Sequence, residues 1–264
     1  MPDFGTLNLT NHPNTIPAAS PAYPPPPWPL PKAEIFQISF EIDKEQAIRW
    51  LPAVLSRPNP AYAHLTIARY PSSPVGPFSL AHQFIVSRMR VLARAFPFQT
   101  IVDNVDALCA LREVWGFPAK LGKVTMERKP QSFEAVIERP AGRALVKASI
   151  TELEPVTPAE IRYDPMMNLR LTPPIQDGKP PEYTKLVQID PHYDIRECFR
   201  GLGAIAYPNV SQGDSWHVLE PRNIICATWA TCDTELPWAR FVEEFTQQQE
   251  RLSAPLSMKD FKRG

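Results

Sequence analysis

Residues 34–42, EIFQISFEI, alternate apolar and polar side chains as a half-buried strand does. Asp43 follows, with Gln46 three positions on, a capping-box spacing that predicts a short helix through about Val54. YAHLTIARY (62–70) again has strand character, and Gly, Pro and Ser punctuate 71–79 as a loop. Residues 84–96, FIVSRMRVLARAF, read as a strand with Arg88, Arg90 and Arg94 on one face and Met89, Val91, Ala93 and Ala95 on the other. Such an arginine ladder either holds an anionic substrate or forms a solvated, ion-paired outer face; the outer face is the expectation. KVTMER, SFEAVIE and RALVKASI are three short strands separated by KPQ and RPAG. Residues 167–190 form a longer hairpin with Asp177-Gly178 at its tip, 199–218 read as loop, and 223–236 as another strand. Pro237 then opens a terminal amphipathic helix whose apolar face carries Trp238, Phe241, Val242 and Phe245. The pattern predicts one antiparallel-rich α+β domain, with no nucleotide-binding βαβ series.

Composition adds one strong bias. The 264 residues include 32 prolines against 10 glycines, which disfavours a helical bundle and suits stiff loops and edge positions. Residues 1–19 read as a loosely held tail, 20–250 as the domain, and 251–264 as a second tail. Within the domain, 20–34 (SPAYPPPPWPLPKAE) is a polyproline-like arm. It is either a ligand for an aromatic groove or an arm on the protein's own surface; Tyr23 and Trp28 give it something to bury, which favours the arm.

Lys plus Arg equals Asp plus Glu at 28 each, so nothing favours nucleic acid or an anionic membrane surface as partner. No apolar run has the length of a membrane span. Cys109, Cys198, Cys226 and Cys232 are far apart, with no CxxC pair; Cys109, Cys226 and Cys232 read as reduced core residues. His64, His192 and His217 are too scattered to propose a metal site, and no cofactor is expected. The first thirty residues lack the basic-then-apolar pattern of a secretion signal, which sets a cytoplasmic location as the expectation.

Candidate chemistry concentrates in residues 112–123, REVWGFPAKLGK: an Arg-Glu pair, two aromatics, a proline and the amine of Lys120. LREVWGFPAKLG, taken with MNLRLTPPIQDGKP, PRNIICATWATCDTELP and the N-terminal SPAYP, resembles the acetoacetate decarboxylase family over roughly residues 20–245. The resemblance implies a closed, cone-like antiparallel β-barrel with flanking helices, an internal apolar pocket and a homo-oligomer. It also implies chemistry by a lysine that condenses with the substrate ketone, kept neutral because burial penalises its charged form; this family is the standing example of that activation. The family motif carries two lysines after the proline, the first being the nucleophile. Here the first is Ala119 and the second Lys120, while Leu80 and Ala33 stand where the resemblance places a carboxylate and an arginine. His82 and Lys32 lie near those two positions without occupying them.

Neighbouring side chains on a strand point to opposite faces, so Lys120 is expected to point away from the side Ala119 faces; a bulge or register shift would reverse this. Ala119 and Leu80 then make the pocket larger and greasier than the family's own, with Trp115, Phe117 and Phe78 lining it and a bulkier, less charged ligand inside. Arg112 and Glu113 read as a structural ion pair, or as a charge pair in which Glu113 is general base and Arg112 stabilises an enolate. His82 reads as an acid–base group or as a satisfied structural histidine.

Three functions follow, in this order. The first is a biosynthetic enzyme using the pocket for non-covalent cyclisation, isomerisation, dehydration or pericyclic closure of a carbonyl-bearing or polyketide-like intermediate, with Lys120 or Glu113 polarising a carbonyl or moving a proton. The second is a Schiff-base decarboxylase or lyase with Lys120 as nucleophile. The third is a non-catalytic small-molecule-binding protein.

Overall fold

The computed structural model describes residues 3–8, 10, 15 and 17–244. In chain order the elements are β1 (Trp28–Glu41), α1 (Lys44–Trp50), β2 (Tyr62–Tyr70), β3 (Phe78–Met89), β4 (Leu92–Val102), α2 (Val105–Glu113), β5 (Ala119–Leu121), β6 (Lys123–Lys129), β7 (Ser132–Glu138), β8 (Ala144–Pro155), β9 (Met166–Thr172), β10 (Tyr183–Ile189), β11 (His192–Ala206), β12 (Asn223–Leu236) and β13 (Arg240–Glu244). The strands form one sheet in the order β13-β10-β9-β4-β3-β2-β1-β12-β11-β8-β7-β6, with β5 added in parallel to β4. The α+β class is as expected, but the sheet is open: no ladder joins β6 to β13, so the implied closed barrel is not formed. Instead β6 folds back against β2, β3 and β4, rolling the sheet around its core without hydrogen-bonded closure.

Period-two alternation along the central strands feeds two separate cores. Phe36, Ile38, Leu65, Ile67, Ala81 and Ile85 face the first, with Phe133, Trp216 and Trp229. Ile35, Ala68, Phe78, Leu80 and Phe84, on the opposite faces of the same strands, pack in the second against α2, Trp28 and Trp115. β3 is therefore buried on both sides over most of its length.

Four local expectations are corrected. Residues 84–96 are the end of β3, a two-residue turn and the start of β4, not one strand; Arg90 adopts φ 57 without a Gly, Asn or Pro to advertise the turn. This breaks the arginine ladder: Arg94 is buried with its Nε 3.2 Å from Gln188 Oε1, and Arg88 pairs its backbone with Ser56. The first helix opens as expected, Asp43 Oδ1 accepting from Glu45 and Gln46 amides, but stops at Trp50, because Leu51 precedes Pro52 and is extended. Residues 199–206 belong to β11 rather than a loop. Gly201 and Gly203 are there for packing: a Cβ on Gly201 would lie 2.2 Å from the Thr151 carbonyl oxygen. The terminal helix is replaced by β13, which takes the open edge of β10 with Phe241 opposite Val187; the ladder overrides the local helical pattern. Phe245 and the 251–264 tail lie outside the described residues.

The arm does fold onto its own chain, with Tyr23 and Trp28 buried and Trp28 Nε1 donating to Pro24 O at 2.9 Å. Helix α2 was not anticipated from the pattern; its N-cap is Asn104, whose Oδ1 accepts from the Ala107 amide at 2.9 Å. Cys198 and Cys232 are buried, Cys109 is half-buried and Cys226 is exposed, which corrects the core assignment of Cys226.

Gly201→Ala is expected to lower stability by about 1–3 kcal/mol, the range for overpacking. Urea denaturation checks this; an unchanged midpoint would show that β8 and β11 are not in this contact.

Candidate active site

The stretch 112–123 is the end of α2, a turn and β5. The chain leaves the helix through Gly116 (φ 71), and the Phe117 amide returns to the Leu111 carbonyl at 2.9 Å. Glycine is required there: a Cβ would meet the Arg170 backbone at 2.8 Å. Asn168, fully buried on β9, donates to the Trp115 carbonyl at 2.9 Å and holds the turn from the other side. Trp115 is itself core: its Nε1 donates to Pro237 O at 2.7 Å and its ring meets Trp28 edge-on at 5.1 Å. It lines neither cavity, contrary to expectation.

β5 pairs in parallel with β4, placing Ala119 beside Thr100 and Lys120 beside Ile101. Thr100 is in turn opposite His82 on β3. His82, Thr100 and Ala119 thus form one row on the face of the second core, and Ala119 is buried there. Lys120 points to the other face. Its Nζ is 3.1 Å from Asp214 Oδ1 and also donates to the Gly213 carbonyl, while Arg139 Nε reaches the same carboxylate at 3.1 Å. Ala33, Leu80 and Ala119, far apart in sequence, all fall within this second core.

Beside that row is an internal cavity of about 50 Å³ whose walls include Phe78, Leu80, His82, Phe84 and Phe117. This is smaller than expected. An apolar cavity of about 150 Å³ holds one benzene, so the space admits a few heavy atoms and not a bulky molecule. Ala119 is not on its wall, whereas Phe117, whose ring stacks on His82 at 4.8 Å, is.

Burial drives the His82 pKa down to about 3, so the ring is neutral at working pH. Its Nδ1 is 2.8 Å from Thr100 Oγ1. Whichever of the two donates, Nε2 is the ring nitrogen left over, and among the described residues no other hydrogen bond to the ring is formed. The rest of the polar lining, which sequence reasoning missed, is Thr66, Thr234 and Glu235 together with three tyrosines, Tyr70, Tyr163 and Tyr193. The tyrosines come from strand ends and from a loop, and no spacing rule connects positions 70, 163 and 193. Among the described residues no lysine or arginine lines the cavity, and Glu235 is its one carboxylate, at an exposed position on the rim.

Arg112 and Glu113 stand elsewhere, at an outer cleft of about 1480 Å³ that also includes Tyr23, Arg170 and Trp238. They do not pair with each other. Arg112 Nη1 donates to Ala119 O at 2.9 Å, and the Tyr23 hydroxyl donates to Glu113 Oε2 at 2.5 Å. Burial, then that bond, pushes the Tyr23 pKa up to about 12. Phe117 contributes to both spaces and is the partition between them. Among the described residues no group of three or more His, Cys, Asp or Glu is placed to hold a metal ion, and no helix is long and apolar enough to cross a membrane.

A rolled, two-cored β-sheet enclosing a small, mostly apolar cavity with a neutral imidazole on its wall is not a nucleotide-binding βαβ fold. A family model described as acetoacetate decarboxylase (ADC) matches residues 12–244, and the chain belongs to that family of enzymes. It is 22% identical over 233 residues to the decarboxylase DEC1 of Cochliobolus heterostrophus, covering 85% of this chain and 92% of that one. Its fold is that of the acetoacetate decarboxylase from Legionella pneumophila (TM-score 0.81, 18% identity, 93% of this chain and 99% of that one). It is similar too to the enduracididine biosynthesis enzyme MppR complexed with pyruvate (TM-score 0.76, 17% identity, 88% of this chain and 98% of that one).

The His82 shift has a stability consequence. The unfolded chain takes up a proton near pH 6.5, the folded ring only near 3, so in that window the unfolded state binds the extra proton and stability falls as pH falls. Comparing wild type with His82→Gln isolates this one group. Urea unfolding between pH 6 and 4 should show wild type losing about 1.4 kcal/mol per pH unit more than the variant; parallel curves would mean the ring titrates normally.

Proposed function

We propose that this protein is a small-molecule biosynthetic enzyme that uses the His82 cavity for non-covalent chemistry on a carbonyl-bearing substrate, without a Schiff base. One observation carries the reading: the amine nearest the family's motif, that of Lys120, is held by Asp214 on the far face of β5, while Ala119 takes the near face. A charged, ion-paired lysine is no nucleophile, and to form an imine it would have to leave its carboxylate and cross the strand.

In this reading the carbonyl end of the substrate enters the cavity and the rest extends past Glu235. Nε2–H of the neutral His82 donates to the carbonyl oxygen, with Thr100 at Nδ1 fixing the ring's orientation. A neutral imidazole is suited to this role, because it polarises the carbonyl without transferring its own proton. The apolar walls exclude water and strengthen that polarisation. Glu235 is the group able to accept a proton at the rim. Cyclisation, isomerisation and dehydration all gain from a carbonyl held this way, and a polyketide-like intermediate supplies such a carbonyl at one end. Glu113 and Arg112 face the separate outer cleft on the other side of Phe117 and are assigned no step here.

Borohydride reduction in the presence of a β-keto acid, followed by peptide mass analysis, tests the reading. No adduct on any lysine is expected in an active preparation. Lys120→Met should retain turnover, and His82→Gln should lose about 100-fold in kcat. A trapped adduct on Lys120 would overturn the reading; full turnover in His82→Gln would reduce the cavity to a binding site.

A further inference from the structure

Three of the cavity's polar lining residues are phenols that make no hydrogen bond among the described residues. The Tyr163 hydroxyl is buried without a hydrogen-bond partner. Tyr70 and Tyr193 also line the cavity, and neither hydroxyl makes a hydrogen bond among the described residues. The Tyr163 and Tyr193 rings pack at 4.7 Å between centroids, and Tyr70 packs on Phe78 at 4.8 Å, so all three rings are held in place by aromatic contacts. All three side chains are part of the cavity lining, and the Tyr163 hydroxyl is closed off from bulk water.

Burying a hydroxyl without a partner is costly, and phenylalanine would fill the same volume at no such cost. The buried, unpartnered Tyr163 hydroxyl, with two further unbonded phenols on the same small cavity, is therefore best explained by an occupant that accepts hydrogen bonds. Burial also raises all three hydroxyls above the usual phenol range, so they stay protonated and act as donors.

We infer that Tyr70, Tyr163 and Tyr193 form a hydrogen-bonding pocket for the oxygen of a compact, uncharged ketone or its enol, and that the pocket discriminates against the carboxylate of the same shape. The size of the space selects a small fragment. The absence of lysine and arginine from the lining, among the described residues, leaves a carboxylate's charge uncompensated, and the neutral His82 adds no cation. A ketone oxygen has two lone pairs and needs no counter-charge. This deepens the proposed function, on which it rests, by naming the ligand chemistry of the same cavity: the neutral carbonyl end, not an acid group, is what enters.

The test is a titration of the full chain carrying ring-13C tyrosine with 2-butanone and with propionate, two molecules of nearly equal shape. Tyr→Phe variants assign the three resonances. 2-Butanone should shift the signals of Tyr163 and Tyr193, and propionate at the same concentration should not. Tyr163→Phe should weaken 2-butanone about fivefold or more while its thermal midpoint is unchanged or raised, a combination that a merely structural role would not produce. If Tyr163→Phe fails to fold, Tyr193→Phe carries the same comparison of affinities. Equal shifts from propionate, no shift of these tyrosines with 2-butanone, or unchanged affinity in the phenylalanine variants would each overturn the inference. These outcomes are separate from the failure of the wider reading, which is marked by a borohydride-trapped lysine and not by any tyrosine signal.

Discussion

The structure depends on a strand buried on both sides. β3 lies between two cores, so each successive residue must satisfy a different apolar environment, and a shift of one position would exchange every side chain between them. Leu80, His82 and Phe84 are thereby committed to the cavity side, and Ala81, Gln83 and Ile85 to the other. The same alternation acts on β5, where three residues decide the chemistry: Ala119 inward, Lys120 outward. A site next to this strand can be shaped only by residues that fit the core around it.

That constraint explains why the inner faces of β3 and β5 carry no charged side chain. A lysine or carboxylate on the inner face of β3 or β5 would need its own partner in an apolar cluster, and none of the neighbouring strands offers one. His82 is accommodated because it is neutral and has Thr100 beside it. The formal charges of the 112–123 stretch are all placed away from the cavity: Lys120 on Asp214, Lys123 on Glu138, Arg112 on the Ala119 carbonyl, Glu113 under the Tyr23 hydroxyl. Each charged group near the motif has a structural partner, and two of those partners, Tyr23 and Asp214, come from segments far away in the chain.

Much of this was legible from residue order. Alternation located β2 and β12 at their observed ends, the Asp43 cap located α1, and the period of two correctly separated Ala119 from Lys120. What was not legible depends on tertiary pairing. The Arg90 turn carries no glycine or proline, β11 carries two glycines that look like loop but relieve contacts with β8 and β12, and β13 exists only because β10 has an open edge. The tyrosines escaped for a similar reason: they meet at one cavity from positions 70, 163 and 193, and only the rolled sheet brings them together. The size of the cavity was also invisible, since it depends on the tertiary packing of its lining, Phe117 stacked on His82 included.

The central claim is that the cavity, whose one carboxylate among the described residues is Glu235 at the rim, is organised by a neutral His82. Long-range 1H–15N spectra of the imidazole nitrogens, followed from pH 7 down to pH 4.5 with His82→Gln as the assignment control, test it directly. The account predicts one histidine whose nitrogen shifts stay those of a neutral ring throughout that range. A His82 signal that moves to the doubly protonated pattern near pH 6.5 would contradict it.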